Sequence, residues 1–134
     1  MNGQQPILLV DDSLFQRELI KALLIDLGCL NVALAEDGEQ ALAHVRACSG
    51  ALPLLLVDLE MPRMNGLQLI EQLAHEGLRP PMAVVTASQA PQLAQVQTLA
   101  DRHGLTVLGY LNKPVCAWSL KQILASSQPL QSPI

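Results

Sequence analysis

The chain has 134 residues, is 50% hydrophobic and 15% charged, and carries a formal net charge of −4. This length fits one ordinary domain, and the hydrophobic fraction suffices for a packed core, which excludes a disordered chain. The eight Lys and Arg residues are scattered. This argues against direct binding of nucleic acid, because phosphate recognition needs concentrated positive charge.

The sequence carries no sign of membrane insertion or secretion. No apolar run approaches the roughly 18 residues that a membrane span needs. The N-terminus lacks a basic region followed by a long apolar stretch. The three cysteines, Cys29, Cys48 and Cys116, form no CxxC pair. We therefore expect a cytoplasmic protein in which the cysteines are small buried residues without disulfides.

Short apolar runs alternate with longer segments of helical period along the whole chain. Ser13, followed three positions later by Gln16, has the pattern of a capping box at the start of the first helix, and Gly28 ends that helix. The predicted strands are residues 6–10, 31–35, 53–57, 82–86 and 106–111. The predicted helices lie between Ser13 and Gly28 and at residues 38–48, 65–76, 90–103 and 116–126.

The third predicted strand decides the fold class. Residues 53–57 read PLLLV, with no polar position. A strand without alternation is typical of a parallel sheet that helices cover on both faces. Five strand–helix units in succession therefore predict an α/β fold with a doubly wound, five-stranded parallel sheet. We assign residues 1–126 to this domain and residues 127–134, rich in Ser and Pro, to a flexible tail or the start of a linker.

Chemistry-bearing residues follow the predicted strands at the points where the strands end. In such sheets, ligands bind outside the carboxyl ends of the strands. Asp11 and Asp12 follow the first strand, Asp58 the third, Thr86 ends the fourth, and Lys113 comes shortly after the fifth. Three carboxylates at one edge repel each other, and a divalent cation relieves that repulsion. A site made of a few carboxylates and water molecules favours Mg²⁺.

This set also suits phosphoryl transfer. A carboxylate can act as a nucleophile and form an aspartyl phosphate, while a metal ion and a lysine offset the charge of the transferring group. Asp58 is the best candidate for the nucleophile because it stands alone on the central strand, whereas Asp11 and Asp12 are better placed to hold the metal.

The chain resembles a response-regulator receiver domain of the CheY-like type, with a flavodoxin-like (βα)5 fold. The resemblance covers residues 6–126 and rests on the following residues: Asp11-Asp12, Asp58, the segment MPRMNG at residues 61–66, Thr86, Tyr110 and Lys113-Pro114. It implies that the protein belongs to a two-component or phosphorelay system. A sensor histidine kinase or a histidine phosphotransfer protein would then supply the phosphoryl group, and an output domain or protein would respond.

The resemblance also implies a role for each matching residue. Asp58 would accept the phosphoryl group. Mg²⁺ would be held by Asp11, Asp12 and Asp58 together with the backbone carbonyl of Glu60. Thr86 and Lys113 would bind the phosphoryl group, Tyr110 would be the switch aromatic, and the Lys113–Pro114 peptide bond would be cis.

Two residues depart from the family pattern. Val115 stands where the family usually has a bulky aromatic residue, and Glu60 places a further acid close to the phosphoryl position. That acid is expected to alter how fast the phosphate is gained or lost, by repulsion or by orienting water.

The segment GLTVLGYLNKP resembles receivers joined to EAL-type cyclic-di-GMP phosphodiesterases, which points to an output related to cyclic-di-GMP.

Other functions fit part of the pattern. A haloacid-dehalogenase-type phosphatase would have Asp-x-Asp after the first strand, whereas here the two acids are adjacent. A flavin carrier would need a phosphate-binding loop there, and the acid pair would repel the flavin phosphate. A receiver-like interaction module that works without phosphorylation remains the main alternative. We do not expect a dedicated metabolic enzyme.

Overall fold

The computed structural model describes residues 5–61, 63–87 and 92–127. Within these ranges, strands and helices alternate in the predicted order. Their bounds are β1 Ile7–Val10, α1 Leu14–Asp26, β2 Val32–Ala35, α2 Gly38–Ala47, β3 Leu55–Asp58, α3 Gly66–His75, β4 Met82–Thr86, α4 Gln92–His103, β5 Val107–Asn112 and α5 Ala117–Ser127. The strands form one parallel sheet in the order β2-β1-β3-β4-β5. The predicted α/β fold with a doubly wound five-stranded sheet is therefore confirmed.

Helices cover both faces of the sheet, which explains why residues 54–57, along β3 and just before it, are all apolar. Leu54 and Leu56 belong to a cluster with residues of α1 and α5, whereas Leu55 and Val57 belong to a cluster with residues of α2, α3 and α4. All four side chains are completely buried. Successive side chains of a strand point to opposite faces, so a central strand between two helical layers needs apolar residues at every position.

The ends of the elements differ slightly from the sequence prediction. β3 begins at Leu55 and includes Asp58, so the acid is the last residue of the strand instead of following it. β5 likewise extends to Asn112, whose partner in the ladder is Thr86. Residues 90–91 of the predicted fourth helix, and residues 128–134 of the predicted tail, lie outside the described residues. The domain boundary at residue 126 stays a prediction.

The predicted capping box at α1 is only half right. The Ser13 side chain accepts a hydrogen bond from the Gln16 N–H at 3.3 Å, but Gln16 Oε1 is buried and has no hydrogen-bond partner among the described residues. A complete capping box occurs at α3, where Asn65 and Gln68 exchange two hydrogen bonds of 2.9 Å. At α1 the Ser13 N–H, which the reciprocal bond would use, donates to Asp11 Oδ1 instead.

The expectation of buried cysteines is wrong for one residue and too strong for the other two. Cys116 is exposed, and Cys29 and Cys48 are half-buried; all three are free thiols. Cys116 lies in the connection between β5 and α5, before the buried stripe of α5 begins. Of the helices in the described ranges, none combines the length and the apolarity needed to cross a membrane.

Candidate functional site at the carboxyl edge of the sheet

Three carboxylates from two neighbouring strands meet at one point of the sheet edge. β1 and β3 are paired in parallel with Val10 beside Val57, so the residues that follow these two positions are neighbours. Asp11, Asp12 and Asp58 each place one carboxylate oxygen within 4.8 Å of the others. Asp11 and Asp58 are buried, and Asp12 is exposed. We call the site formed by these three carboxylates the acidic pocket; Asp12 is on its solvent-exposed side.

The backbone of the first acid is firmly held. The Asp11 N–H donates to the Ala35 carbonyl at 3.1 Å, and its Oδ1 accepts from the Ser13 N–H at 2.9 Å. The buried guanidinium of Arg17 donates to the Asp11 carbonyl oxygen at 2.7 Å. These contacts fix the Asp11 carboxylate and leave its Oδ2 directed into the pocket. Arg17 was not predicted as a site residue from the sequence; the signal that points to it is its position one helical turn after the N-cap.

Lys113 provides the positive charge of the pocket. Its Nζ lies 3.1 Å from Asp58 Oδ1 and 3.7 Å from Asp11 Oδ2. Its backbone N–H donates to the Thr86 carbonyl at 2.9 Å, which holds the start of the β5–α5 connection against β4. The peptide bond between Lys113 and Pro114 is cis, the geometry that the resemblance implies. One ammonium thus contacts two of the three acids.

The protonation of Asp58 reflects its surroundings. Burial and the negative charge of Asp11 raise the pKa of Asp58 to about 7, although the Lys113 ammonium and the Glu60 N–H, 3.1 Å from Asp58 Oδ1, act in the opposite direction. Burial also lowers the pKa of Lys113, but its hydrogen bond to Asp58 and the surrounding carboxylates outweigh this, so that its pKa is raised. The pocket therefore carries more acid than its single lysine neutralises.

The residues present fit a divalent cation. Asp11 Oδ2 and Asp58 Oδ2 are buried and have no hydrogen-bond partner among the described residues, and a buried carboxylate oxygen without a partner is energetically unfavourable. A cation between the three acids would satisfy both atoms. An all-oxygen donor set indicates a hard ion. The predicted role of the Glu60 backbone carbonyl as a further ligand stays a prediction.

The Glu60 side chain has contacts that the sequence analysis did not anticipate. The buried Thr86 hydroxyl donates to Glu60 Oε2 at 2.8 Å, and the Ala87 N–H donates to Glu60 Oε1 at 3.2 Å. From the sequence, Glu60 was expected to act by repulsion, by orienting water or through its backbone carbonyl, with no contact to Thr86 predicted. Its distance from Thr86, 26 positions along the chain, means that only the packing of β3 against β4 reveals the contact.

The start of α3 packs closely against the backbone of Asp58. A Cβ atom at Gly66 would lie 2.3 Å from the Asp58 carbonyl oxygen, so this position in the MPRMNG segment admits no side chain without a shift of the backbone. On the other side of the site, Val115 is buried among the apolar residues that face α1 and α5. The smaller residue found at this position is therefore part of the core.

Tyr110 lies apart from the acids, on β5. Its side chain is 38% exposed, and its hydroxyl donates to Gln97 Oε1 on α4 at 3.1 Å. In the sheet, Tyr110 pairs with Val84, two residues before Thr86. The structure thus places the predicted switch residue on the surface between β5 and α4, in an outward orientation.

The chain is similar to known proteins over most of its length. The model of the response regulator receiver domain family matches residues 7–125. The chemotaxis protein CheY of Pseudomonas aeruginosa is 38% identical over 118 residues, which cover 87% of this chain and 90% of that protein. CheY-3 of Vibrio cholerae is 33% identical over 126 residues, 92% of each chain. A solved structure of Vibrio cholerae CheY4 has a TM-score of 0.75 at 26% identity and covers 94% of this chain and 100% of that one. The comparisons do not support the resemblance to EAL-linked receivers.

Proposed function

Because the chain belongs to the response regulator receiver domain family, we propose that it is a phosphoacceptor switch that takes a phosphoryl group from a phosphohistidine onto Asp58. The observation that carries this proposal is the Asp58 carboxylate itself. It is buried at the carboxyl edge of the sheet, with one oxygen 3.1 Å from Lys113 Nζ and the other without a hydrogen-bond partner among the described residues.

In the transfer, an Asp58 oxygen forms a bond to phosphorus while the bond from phosphorus to the imidazole nitrogen of the donor breaks. The electron pair of that bond stays on the imidazole. Ionised Asp58 is a much stronger nucleophile than the protonated acid, and Lys113 stabilises the ionised form by its contact with Oδ1. The Lys113 ammonium also offsets negative charge on the phosphoryl oxygens, and Thr86 would donate a hydrogen bond to one of them.

We further propose that the cation is Mg²⁺ and that Asp11, Asp12 and Asp58 hold it. When bound, Mg²⁺ supplies positive charge next to the transferring phosphoryl group. The exposed position of Asp12 suits an ion that keeps several of its waters, as Mg²⁺ does. Zn²⁺ prefers sulfur and nitrogen ligands, and no His or Cys belongs to the acidic cluster found among the described residues.

The readout would involve the β5 and α4 surface. Thr86, at the end of β4, is paired with Asn112 of β5, and Tyr110 lies two residues before that position. A hydroxyl drawn toward a new phosphoryl group would shift the end of β4, and the Tyr110–Gln97 contact is the bond that such a shift would strain. Phosphorylation would in this way act as a local charge event with a distant effect.

We also propose a phosphoryl donor and an output partner for the chain. The donor would be a sensor histidine kinase or a histidine phosphotransfer protein in the cytoplasm, and the output partner would be a protein domain, with no direct contact to nucleic acid or membrane. An output related to cyclic-di-GMP stays a prediction from one short segment. The chain would promote its own phosphorylation and dephosphorylation without being a dedicated metabolic enzyme.

The test is phosphorylation by acetyl phosphate, followed by intact-protein mass spectrometry. Wild type should gain one phosphoryl mass in the presence of Mg²⁺ and little in the presence of EDTA, and Asp58→Asn should gain none. Glu71→Gln, at an exposed acid of α3, serves as a control that should behave as wild type. Equal labelling of wild type and Asp58→Asn would show that another residue accepts the phosphoryl group. A wild type that gains no mass under any condition would favour the phosphorylation-independent interaction module.

A further inference from the structure

The Glu60 carboxylate accepts hydrogen bonds from two donors at the end of β4. One of its oxygens accepts from the Thr86 hydroxyl at 2.8 Å and the other from the Ala87 N–H at 3.2 Å. A hydroxyl and a backbone N–H that converge on one anionic group form a small anion cradle, because hydrogen bonds to an ionised acceptor are stronger than neutral ones. In this structure the anion in the cradle belongs to the protein itself.

The cradle is adjacent to Asp58. β3 and β4 are paired with Asp58 beside Val85, so Thr86 and Ala87 follow at the same edge. The Glu60 N–H donates to Asp58 Oδ1 at 3.1 Å. The Glu60 backbone is therefore anchored on the acceptor carboxylate while its side chain extends to the donors of β4. A phosphoryl group on Asp58 would bring anionic oxygens to the same neighbourhood.

We propose that the Glu60 carboxylate is an internal competitor of the phosphoryl group. It occupies the donors of Thr86 and Ala87 in the unphosphorylated protein and must leave them before a phosphoryl group on Asp58 can use them. This inference rests on the proposed function, since it assumes that Asp58 is the acceptor. Its consequence is that the protein binds a phosphoryl group more weakly than the same pocket would without this side chain.

Two physical effects act in the same direction. The first is occupancy, because a donor already bound to Glu60 must break that bond to serve another anion. The second is charge, because the Glu60 carboxylate adds a negative charge to a pocket that must receive an anion, and this charge also acts on Lys113. Glu60→Gln keeps the size and one acceptor oxygen but removes the charge, whereas Glu60→Ala removes both effects.

The experiment is isothermal titration calorimetry with beryllofluoride, a phosphoryl analogue, at a fixed saturating Mg²⁺ concentration. Loss of one charge-assisted hydrogen-bonding competitor should tighten binding by about tenfold in Glu60→Ala, and by less in Glu60→Gln. Glu71→Ala, which removes an exposed acid of α3, is the matched control and should bind as wild type does. Asp58→Asn should not bind. Circular dichroism checks that each variant is folded. If Glu60→Ala does not fold, the comparison of Glu60→Gln with wild type provides the test.

The outcomes separate this inference from the proposed function. Binding by wild type with equal or weaker binding by both Glu60 variants would overturn the competitor and leave the phosphoacceptor function standing. Binding by none of the proteins, or equal binding by wild type and Asp58→Asn, would overturn the phosphoacceptor assignment and the competitor with it. Tighter binding by the Glu60 variants together with an unchanged Glu71→Ala would support both.

Discussion

Replacement of Asp58 by Asn should stabilise the protein at high pH and have little effect at low pH. In the folded chain, burial and the Asp11 carboxylate raise the pKa of Asp58 to about 7, while in the unfolded chain it returns to about 4. The folded state therefore binds a proton more tightly than the unfolded state. Such a group favours folding below its unfolded pKa, and this contribution is lost as the pH rises to the folded pKa.

The size of the effect follows from the difference between the two pKa values. It corresponds to at most about 4 kcal/mol, because each tenfold difference in proton affinity is worth about 1.4 kcal/mol. Relaxation and water penetration reduce the penalty of buried charges. We therefore expect Asp58→Asn to be more stable than wild type by about 1–4 kcal/mol at pH 8, with the gain decreasing toward zero at about pH 4.

The assay is urea unfolding at a series of pH values in buffer with EDTA, analysed by linear extrapolation. The quantity of interest is the free energy of unfolding of the variant minus that of wild type, since contributions of titrating groups that do not interact with Asp58 cancel in the difference; Asp11 and Lys113 are the groups that do interact. Glu18→Gln, at an exposed acid of α1, is the control and should give a small difference at every pH. A difference for Asp58→Asn that does not change with pH, or that is negative at pH 8, would refute the reasoning.

Three further predictions follow from the packing and charge of the site. Gly66→Ala places a Cβ 2.3 Å from the Asp58 carbonyl oxygen and should destabilise the protein by about 1–3 kcal/mol in urea unfolding; an unchanged midpoint would contradict the close contact. Leu56→Ala should lower the free energy of unfolding by about 2–5 kcal/mol because Leu56 is completely buried, whereas Leu30→Ala, at a side chain 78% exposed, should change it by less than about 0.5 kcal/mol. Mg²⁺ should raise the melting temperature more at pH 8 than at pH 5.5, because at the lower pH the proton on Asp58 competes with the ion; equal increments, with ionic strength matched by NaCl, would argue against a metal site at Asp58.

The sequence determined the fold because its signals are local or periodic. The alternation of apolar runs with helical segments predicted every element, and the uniform apolarity of residues 53–57 predicted a strand covered on both faces, which the two core clusters confirm. The positions of Asp11, Asp58 and Lys113 at one edge followed from parallel pairing, since all parallel strands end at the same side of a sheet. For these features, knowledge of the topology is enough.

Only the tertiary structure decided how the side chains of the site are arranged. The Glu60 carboxylate contacts Thr86 across 26 positions of the chain, Arg17 binds the backbone carbonyl of Asp11, and Tyr110 is directed outward to Gln97. Each contact depends on the rotamer that a long side chain adopts in a space formed by two or more elements. A sequence pattern specifies which face or edge a residue occupies, but the partner of its polar group is set by the packing around it. The capping box at α1 was half right because the Ser13 N–H binds Asp11 instead of Gln16. The burial of the cysteines was overestimated because it depends on which neighbouring elements cover each thiol.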